Sequence, residues 1–263
     1  MKHPIPEPSK KEYDFKRLTP VGYSVKDSCS FTYLGDNYIL CTYVGIGGLA
    51  LFKEVLGTYH YIQTIFKGWT DMWAPCVIEE NGKLVVFCSD TGGAGPFWRT
   101  QRIKYFEFEP GWQPNNPTEV VFDDPKGMID PEVIKIGEKY YLFYVIMDWN
   151  TGEWWDVYYS TSDNLLGPYH GEYNISQMIE TGIEEAPHVI GDKLYWSVGD
   201  SQVDSHIRRG DLISNNNILN VSEDTNVKIK AVGSPVCTHP GSFEGKLRAT
   251  LKDGNEFYIG ELV

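Results

Sequence analysis

An all-β fold, a five-bladed β-propeller, is what this sequence predicts, on three observations. First, one unit recurs: a polar residue and a proline, a short apolar strand, a Gly-containing turn, and a second strand rich in aromatic and branched residues. The unit is clearest at residues 128–144, opening Met128-Ile-Asp-Pro-Glu-Val, and again at 73–88, opening Trp73-Ala-Pro-Cys-Val, and at 185–196, opening Glu185-Ala-Pro-His-Val. Weaker copies begin at Asp27-Ser-Cys-Ser and His239-Pro-Gly-Ser. Second, the copies align on Ser28, Pro75, Pro131, Pro187 and Pro240, spaced 47, 56, 56 and 53 residues apart. A period of this order, built from short strands and turns, belongs to radial repeats with about four strands per blade. Third, nowhere do apolar residues sustain the i, i+3, i+4, i+7 stripe of a capped helix.

Taken in order, residues 1–12 are rich in Pro and Lys and read as a loose arm. The stretch 13–21 alternates polar and apolar residues and is expected to be an outer strand completing the last blade, since the unit from His239 to Val263 is one strand short. Such closure joins the two chain ends and removes an open edge. Unit one covers residues 21–65 and holds Gly45-Ile-Gly-Gly48, a turn signal that lacks the helix or Lys of a nucleotide loop. Unit two covers 69–122 with a long Gly-rich loop at 89–99, unit three covers 127–179, unit four starts near Gly182 and unit five near Val232. The repeat predicts one domain spanning 1–263.

Composition narrows the partners. The 23 basic and 36 acidic residues leave a net charge of −13, which argues against nucleic acid or an anionic membrane and suits a neutral ligand. Aromatic content of 14% fits half-buried strands and also fits a sugar-binding surface. No apolar run is long enough to span a bilayer, and the N-terminus has no apolar leader core. Five cysteines without a C-x-x-C pair read as small strand hydrophobes and favour a reducing, cytoplasmic compartment; a removed leader would instead point to the periplasm or secretion.

The chemistry-bearing residues stand at the heads of the units: Asp27, Asp130 and Glu185. The first strand of a blade lines the axis, so a propeller gathers acids that the sequence keeps far apart. Two carboxylates flanking a glycosidic bond can hydrolyse it, one donating a proton to the leaving oxygen and the other acting on water or on the anomeric carbon. A third carboxylate beside the acid raises its pKa and orients it. Asp27 and Asp130 also have a plainer reading as turn residues, and Glu184 is the alternative to Glu185 as the acid, but alternation puts it on the opposite strand face and only Glu185 stands two before the proline.

The heads Ile129-Asp-Pro-Glu-Val, Trp73-Ala-Pro-Cys-Val and Glu185-Ala-Pro-His-Val, with Tyr159-Ser-Thr-Ser-Asp-Asn-Leu-Leu-Gly-Pro-Tyr169, resemble the five-bladed β-propeller glycoside hydrolases of family 43. The resemblance implies Asp27 as general base, Asp130 as the residue that tunes and positions the acid, and Glu185 as general acid of an inverting displacement. It implies arabinofuranosyl, xylosyl or related plant-type oligosaccharides or polysaccharides as substrate, no required cofactor, and a calcium ion or water cluster near the axis with His239 beside it. Blade one reads Asp27-Ser28 where the family has Asp-Pro, and Thr238-His-Pro-Gly241 replaces the family's usual blade-five form. A retaining fructosidase-like hydrolase and a carbohydrate-binding propeller without turnover are the alternatives; the fructosidase signature Asn-Asp-Pro-Asn is missing. Trp73 and Trp154 are candidate platforms for a sugar ring, His188 a candidate contact below the acid, and Arg248, expected in an inner strand of unit five, a candidate partner of substrate or acids.

Overall fold

The computed structural model describes residues 8–13, 25–69, 72–90, 101–123, 127–147, 155–175, 183–200, 203–215, 218–222, 229, 234, 236–243, 246–253 and 256–262. These form five antiparallel sheets of four strands each, which are the five blades. Blade one runs β2 (Val25–Tyr33), β3 (Asp36–Tyr43), β4 (Leu49–Val55) and β5 (Thr58–Ile65). Blade two runs β6 (Met72–Glu80), β7 (Lys83–Asp90), β8 (Arg102–Phe108) and β9 (Thr118–Glu119). Blade three has β10 (Met128–Ile136), β11 (Lys139–Met147), β12 (Trp155–Ser162) and β13 (His170–Asn174). Blade four has β14 (Glu184–Ile190), β15 (Lys193–Asp200), β16 (Asp204–Asn215) and β17 (Ile218–Val221).

Blade five is assembled from both regions of the chain. Its strands β18 (Cys237–Phe243), β19 (Lys246–Asp253) and β20 (Glu256–Leu262) are completed by β1 (Pro8–Tyr13), which pairs antiparallel with β20. The closing strand therefore starts earlier than the 13–21 expected, and all of it but Tyr13 falls in the stretch expected to be a loose arm. A polar stretch suffices for this edge, because backbone N–H and C=O groups make the ladder and the open edge of β20 supplies partners whatever the side chains. Residues 14–21 of the expected strand lie outside the described residues.

Apolar side chains fill the spaces between adjacent blades. Leu40 and Leu51 meet Leu84 and Phe106 between blades one and two, and Phe87 meets Leu142 and Tyr144 between two and three. Phe143 and Tyr159 meet Leu194 and Trp196 between three and four, and Ile207 meets Cys237 and Leu247 between four and five. The ring is closed at the fifth junction by Ile259 of β20 packed with Ile39 and Phe52 of blade one. All five cysteines are free and buried, Cys41, Cys76, Cys88 and Cys237 in these layers and Cys29 at the axial pocket, as small strand hydrophobes. The inner hairpins turn through Leu34-Gly35 and Asn81-Gly82, where both residues have positive φ, the twist that suits tight two-residue hairpins. No helix among the described residues is long and apolar enough to cross a membrane.

Candidate active site

The inner strand of every blade carries a β-bulge at the same place: between Lys26 and Cys29, Trp73 and Cys76, Ile129 and Glu132, Glu185 and His188, and Thr238 and Gly241. At each bulge the residue before the Ser or Pro of the repeat is left-handed: Asp27 (φ 51°), Ala74 (48°), Asp130 (55°), Ala186 (53°) and His239 (49°). Left-handed backbone is costly for residues with a Cβ, and five equivalent instances mark one maintained feature. Together with the Ser and Pro that follow, these residues line a pocket on the propeller axis.

The sequence reading grouped Asp27, Asp130 and Glu185 as one column, and the structure resolves it into two rows. Asp27, Asp130 and His239 share the left-handed row. Glu185 belongs to the preceding row, with Lys26, Trp73, Ile129 and Thr238, each paired to the second strand of its own blade. The two rows come together in one buried network. His239 Nε2 lies 3.4 Å from Asp27 Oδ1 and 3.8 Å from Asp130 Oδ2. The Thr238 hydroxyl donates to Glu185 Oε1 at 3.3 Å and lies 3.1 Å from His239 Nδ1. Single ligand atoms of Asp130, Glu185 and His239 all fall within 4.8 Å of one another.

Electrostatics separate the two aspartates. Burial by itself would push Asp27 up, but His239, Lys26 and the hydroxyl of Thr42, which donates to Oδ2 at 2.8 Å, hold it below the ordinary carboxylate value. Burial pushes Asp130 up to about 7; His239 and Lys26 oppose this, while Glu185 and Asp27 add to it through like charge. Near neutral pH Asp130 is therefore poised between its protonated and ionised forms. Burial and two neighbouring carboxylates make its ionised form costly.

Lys26 is a site residue that the sequence reading did not single out. Its ammonium sits 3.5 Å from Asp27 Oδ2 and 5.5 Å from the centre of the half-buried Trp73 ring. Burial lowers its pKa, yet Asp27, Glu185 and Asp130 outweigh burial and raise it, so it stays a cation. The signal was present: Lys26 precedes Asp27 as Glu185 precedes Ala186, the same row in another blade.

The remaining candidates fall elsewhere. His188 is turned into the axial pocket with both ring nitrogens engaged, Nδ1 3.1 Å from Glu132 Oε1 and Nε2 3.0 Å from Ser242 Oγ. It thereby ties blades three, four and five together instead of facing the acids. Arg248 is buried in the second strand of blade five, not the inner one, with its guanidinium 5.5 Å from the Tyr59 ring at the junction with blade one. Its backbone lies one register step from the inner strand, because β18 occupies the axis. Trp154 lies outside the described residues.

A calcium ion takes six to eight oxygen ligands. The described cluster offers two carboxylates and one imidazole nitrogen, with the Lys26 ammonium already attracted to the same charges. These residues do not by themselves fit calcium, and no step below runs through a metal.

Fold and site together define a class: a five-bladed propeller with buried carboxylates gathered at a pocket on its axis. Solved structures of the same fold include a thermostable family-43 glycoside hydrolase, with 14% identity over 90% of this chain and 88% of that one and a TM-score of 0.70. They also include an α-L-arabinofuranosidase from Lactobacillus brevis, with 11% identity over 93% and 92% of the chains and a TM-score of 0.67. A family-43 β-xylosidase/α-arabinofuranosidase from a compost microbial metagenome matches with 14% identity over 98% and 96% and a TM-score of 0.60. No protein-family model matches the sequence and no curated protein does. The likeness is one of fold, the five-bladed propeller that the motifs led one to expect.

Proposed function

We propose that this protein is an inverting glycoside hydrolase acting on arabinofuranosyl, xylosyl or related plant-type glycans. One observation carries the reading: a buried axial cluster in which His239, Lys26 and Thr42 hold Asp27 below the ordinary carboxylate range, while Asp130, close to Glu185, is pushed up to about 7. Hydrolysis with inversion needs those two functions at once, a base for water and a proton for the leaving oxygen. Asp27 takes the proton from water. Glu185 delivers a proton to the departing sugar oxygen, and Asp130 orients Glu185 and holds the cluster's charge down. Trp73, half-buried beside Lys26, offers a face for the sugar ring.

The test is release of free sugar from a panel of aryl α-L-arabinofuranosides, β-D-xylosides and the corresponding oligosaccharides. Glu185→Gln should reduce release by a factor of roughly 10³ or more while circular dichroism and melting stay unchanged. Proton NMR of the first product anomer should show inversion.

A second reading, a glycan-binding propeller without turnover, draws on one observation. Asp27 is surrounded by Thr42, Lys26 and His239, partners that make it a weaker base. Binding of panel sugars by the wild type with no release from any of them would establish this reading instead.

A further inference from the structure

The repeat exposes one position where a single blade departs from the others. In each blade the residue of the second strand that pairs with the row of Lys26 and Glu185 is fixed by register: Thr42, Ser89, Val145, Ser197 and Thr250. All five are buried. Four carry a hydroxyl, and each hydroxyl performs the same task, accepting the N–H of the left-handed residue in the next blade. Thr42 Oγ1 accepts from Ala74 N at 3.0 Å, Ser89 Oγ from Asp130 N at 2.8 Å, Ser197 Oγ from His239 N at 2.8 Å, and Thr250 Oγ1 from Asp27 N at 2.9 Å. Blade three has Val145, which can accept nothing. There the N–H of Ala186 is taken by Asp130 Oδ2 at 3.1 Å.

A buried N–H demands an acceptor, since leaving it unpaired costs on the order of 1–3 kcal/mol. We propose that Val145 is a positioning residue: by withholding the hydroxyl that every other blade supplies, it makes the Asp130 carboxylate the acceptor of the Ala186 N–H and so docks that carboxylate against blade four, next to Glu185. Blade one shows the alternative with the same residue type. There Thr42 stands between the Ala74 N–H and Asp27, accepting from one and donating to the other, and the Asp27 carboxylate does not bond the backbone of the next blade but lies near Lys26 of its own blade and His239 of blade five. Asp27 and Asp130 thus differ in placement through the residue one strand behind each.

The inference rests on Asp130 acting as the partner of the acid, but its test needs no turnover. In protein labelled with ¹³C at the aspartate carboxyls, the Asp130 resonance is titrated in wild type, Val145→Thr, Val145→Ser and Val145→Ala. The groups that face Asp130 are Glu185, Asp27, His239 and Lys26, and all are kept in each variant. Threonine fits the same register position in blades one and five, so Val145→Thr should insert its hydroxyl between Ala186 N–H and Asp130, ease the carboxylate away from Glu185, and lower the Asp130 midpoint by roughly one pH unit. Serine should do the same should the threonine variant fold poorly, and alanine, with no hydroxyl, should leave the midpoint in place. The proposal is overturned if the hydroxyl variants leave Asp130 where it is, or if alanine moves it as far as threonine does. Absence of sugar release from the wild type would count against the proposed function and leave this titration unaffected.

Discussion

Asp27 and Asp130 occupy the same position of blades one and three, at φ 51° and 55°, yet the site shifts their titrations in opposite directions. Both are buried, so burial cannot separate them. The neighbours do. Asp27 has a cation, Lys26, at 3.5 Å and the Thr42 hydroxyl at 2.8 Å, whereas Asp130 has Glu185 beside it and a backbone amide for its hydrogen bond. A repeat built for symmetry has been made asymmetric at the axis, and acid–base chemistry needs that asymmetry.

The acidic limb of the rate profile should belong to Asp27. His239, Lys26 and Thr42 hold it below the ordinary value against the effect of burial, so kcat/KM should remain high below the pH at which a free carboxylate protonates. Removing a cation from beside a carboxylate raises its pKa, so Lys26→Met should move that limb upward by roughly one pH unit, and Lys26→Arg should restore it. An acidic limb that ignores both substitutions would show that Lys26 does not hold the base ionised.

Asp130 should make the fold less stable as pH rises. Its folded value of about 7 exceeds the unfolded carboxylate value, so the folded state binds more protons in between and stability falls as pH climbs from about 4 through about 7. Asp130→Asn cannot ionise. Its Tm, followed across that range, should gain on the wild type progressively with pH while activity is lost, a trade of stability for chemistry.

The Glu132–His188 pair should act in the neutral range. Burial lowers the His188 value, but Glu132 outweighs it and raises the folded value above that of an exposed imidazole. The stabilisation is therefore fully present below pH of about 6.5 and fades as pH rises through the folded value. The difference in Tm between wild type and Glu132→Gln should be largest in mild acid and should shrink on the alkaline side. A difference independent of pH would mean that packing, not charge, joins blades three and four here.

Gly48 should tolerate no side chain. Its φ is +83°, and a Cβ would stand 2.2 Å from the carbonyl oxygen of Ile65 and 2.5 Å from that of Phe66. The obstacle is backbone, which cannot swing aside as a side chain could. Gly48→Ala should lower Tm by roughly 5 °C or more, whereas Gly35→Ala, where only the conformation is strained and no atom intrudes, should cost less.

Much of this was written in the chain order. The proline-headed unit fixes where each inner strand starts, and its copies at Asp27, Trp73, Ile129, Glu185 and His239 all fall at the bulges of inner strands. Hydrophobic patterning and turn residues act over a few neighbours, so five blades, their number and their polar heads could be read without coordinates. Closure could be expected too, but not its location, because the strand that completes blade five is polar and is selected by an open backbone edge.

What the amino-acid order by itself determined is which residues stand at the axis: the acids Asp27, Asp130 and Glu185 and the imidazole of His239. What only the tertiary structure decided is how they differ: that Lys26 belongs beside them, that Arg248 and His188 serve blade junctions, and that Asp130 holds its proton to higher pH than Asp27 does. Local sequence sets strand, turn and bulge. Protonation and hydrogen-bond partners depend also on distances between residues of different blades, about 50 to 200 positions apart, and those distances exist only once the ring of blades has closed.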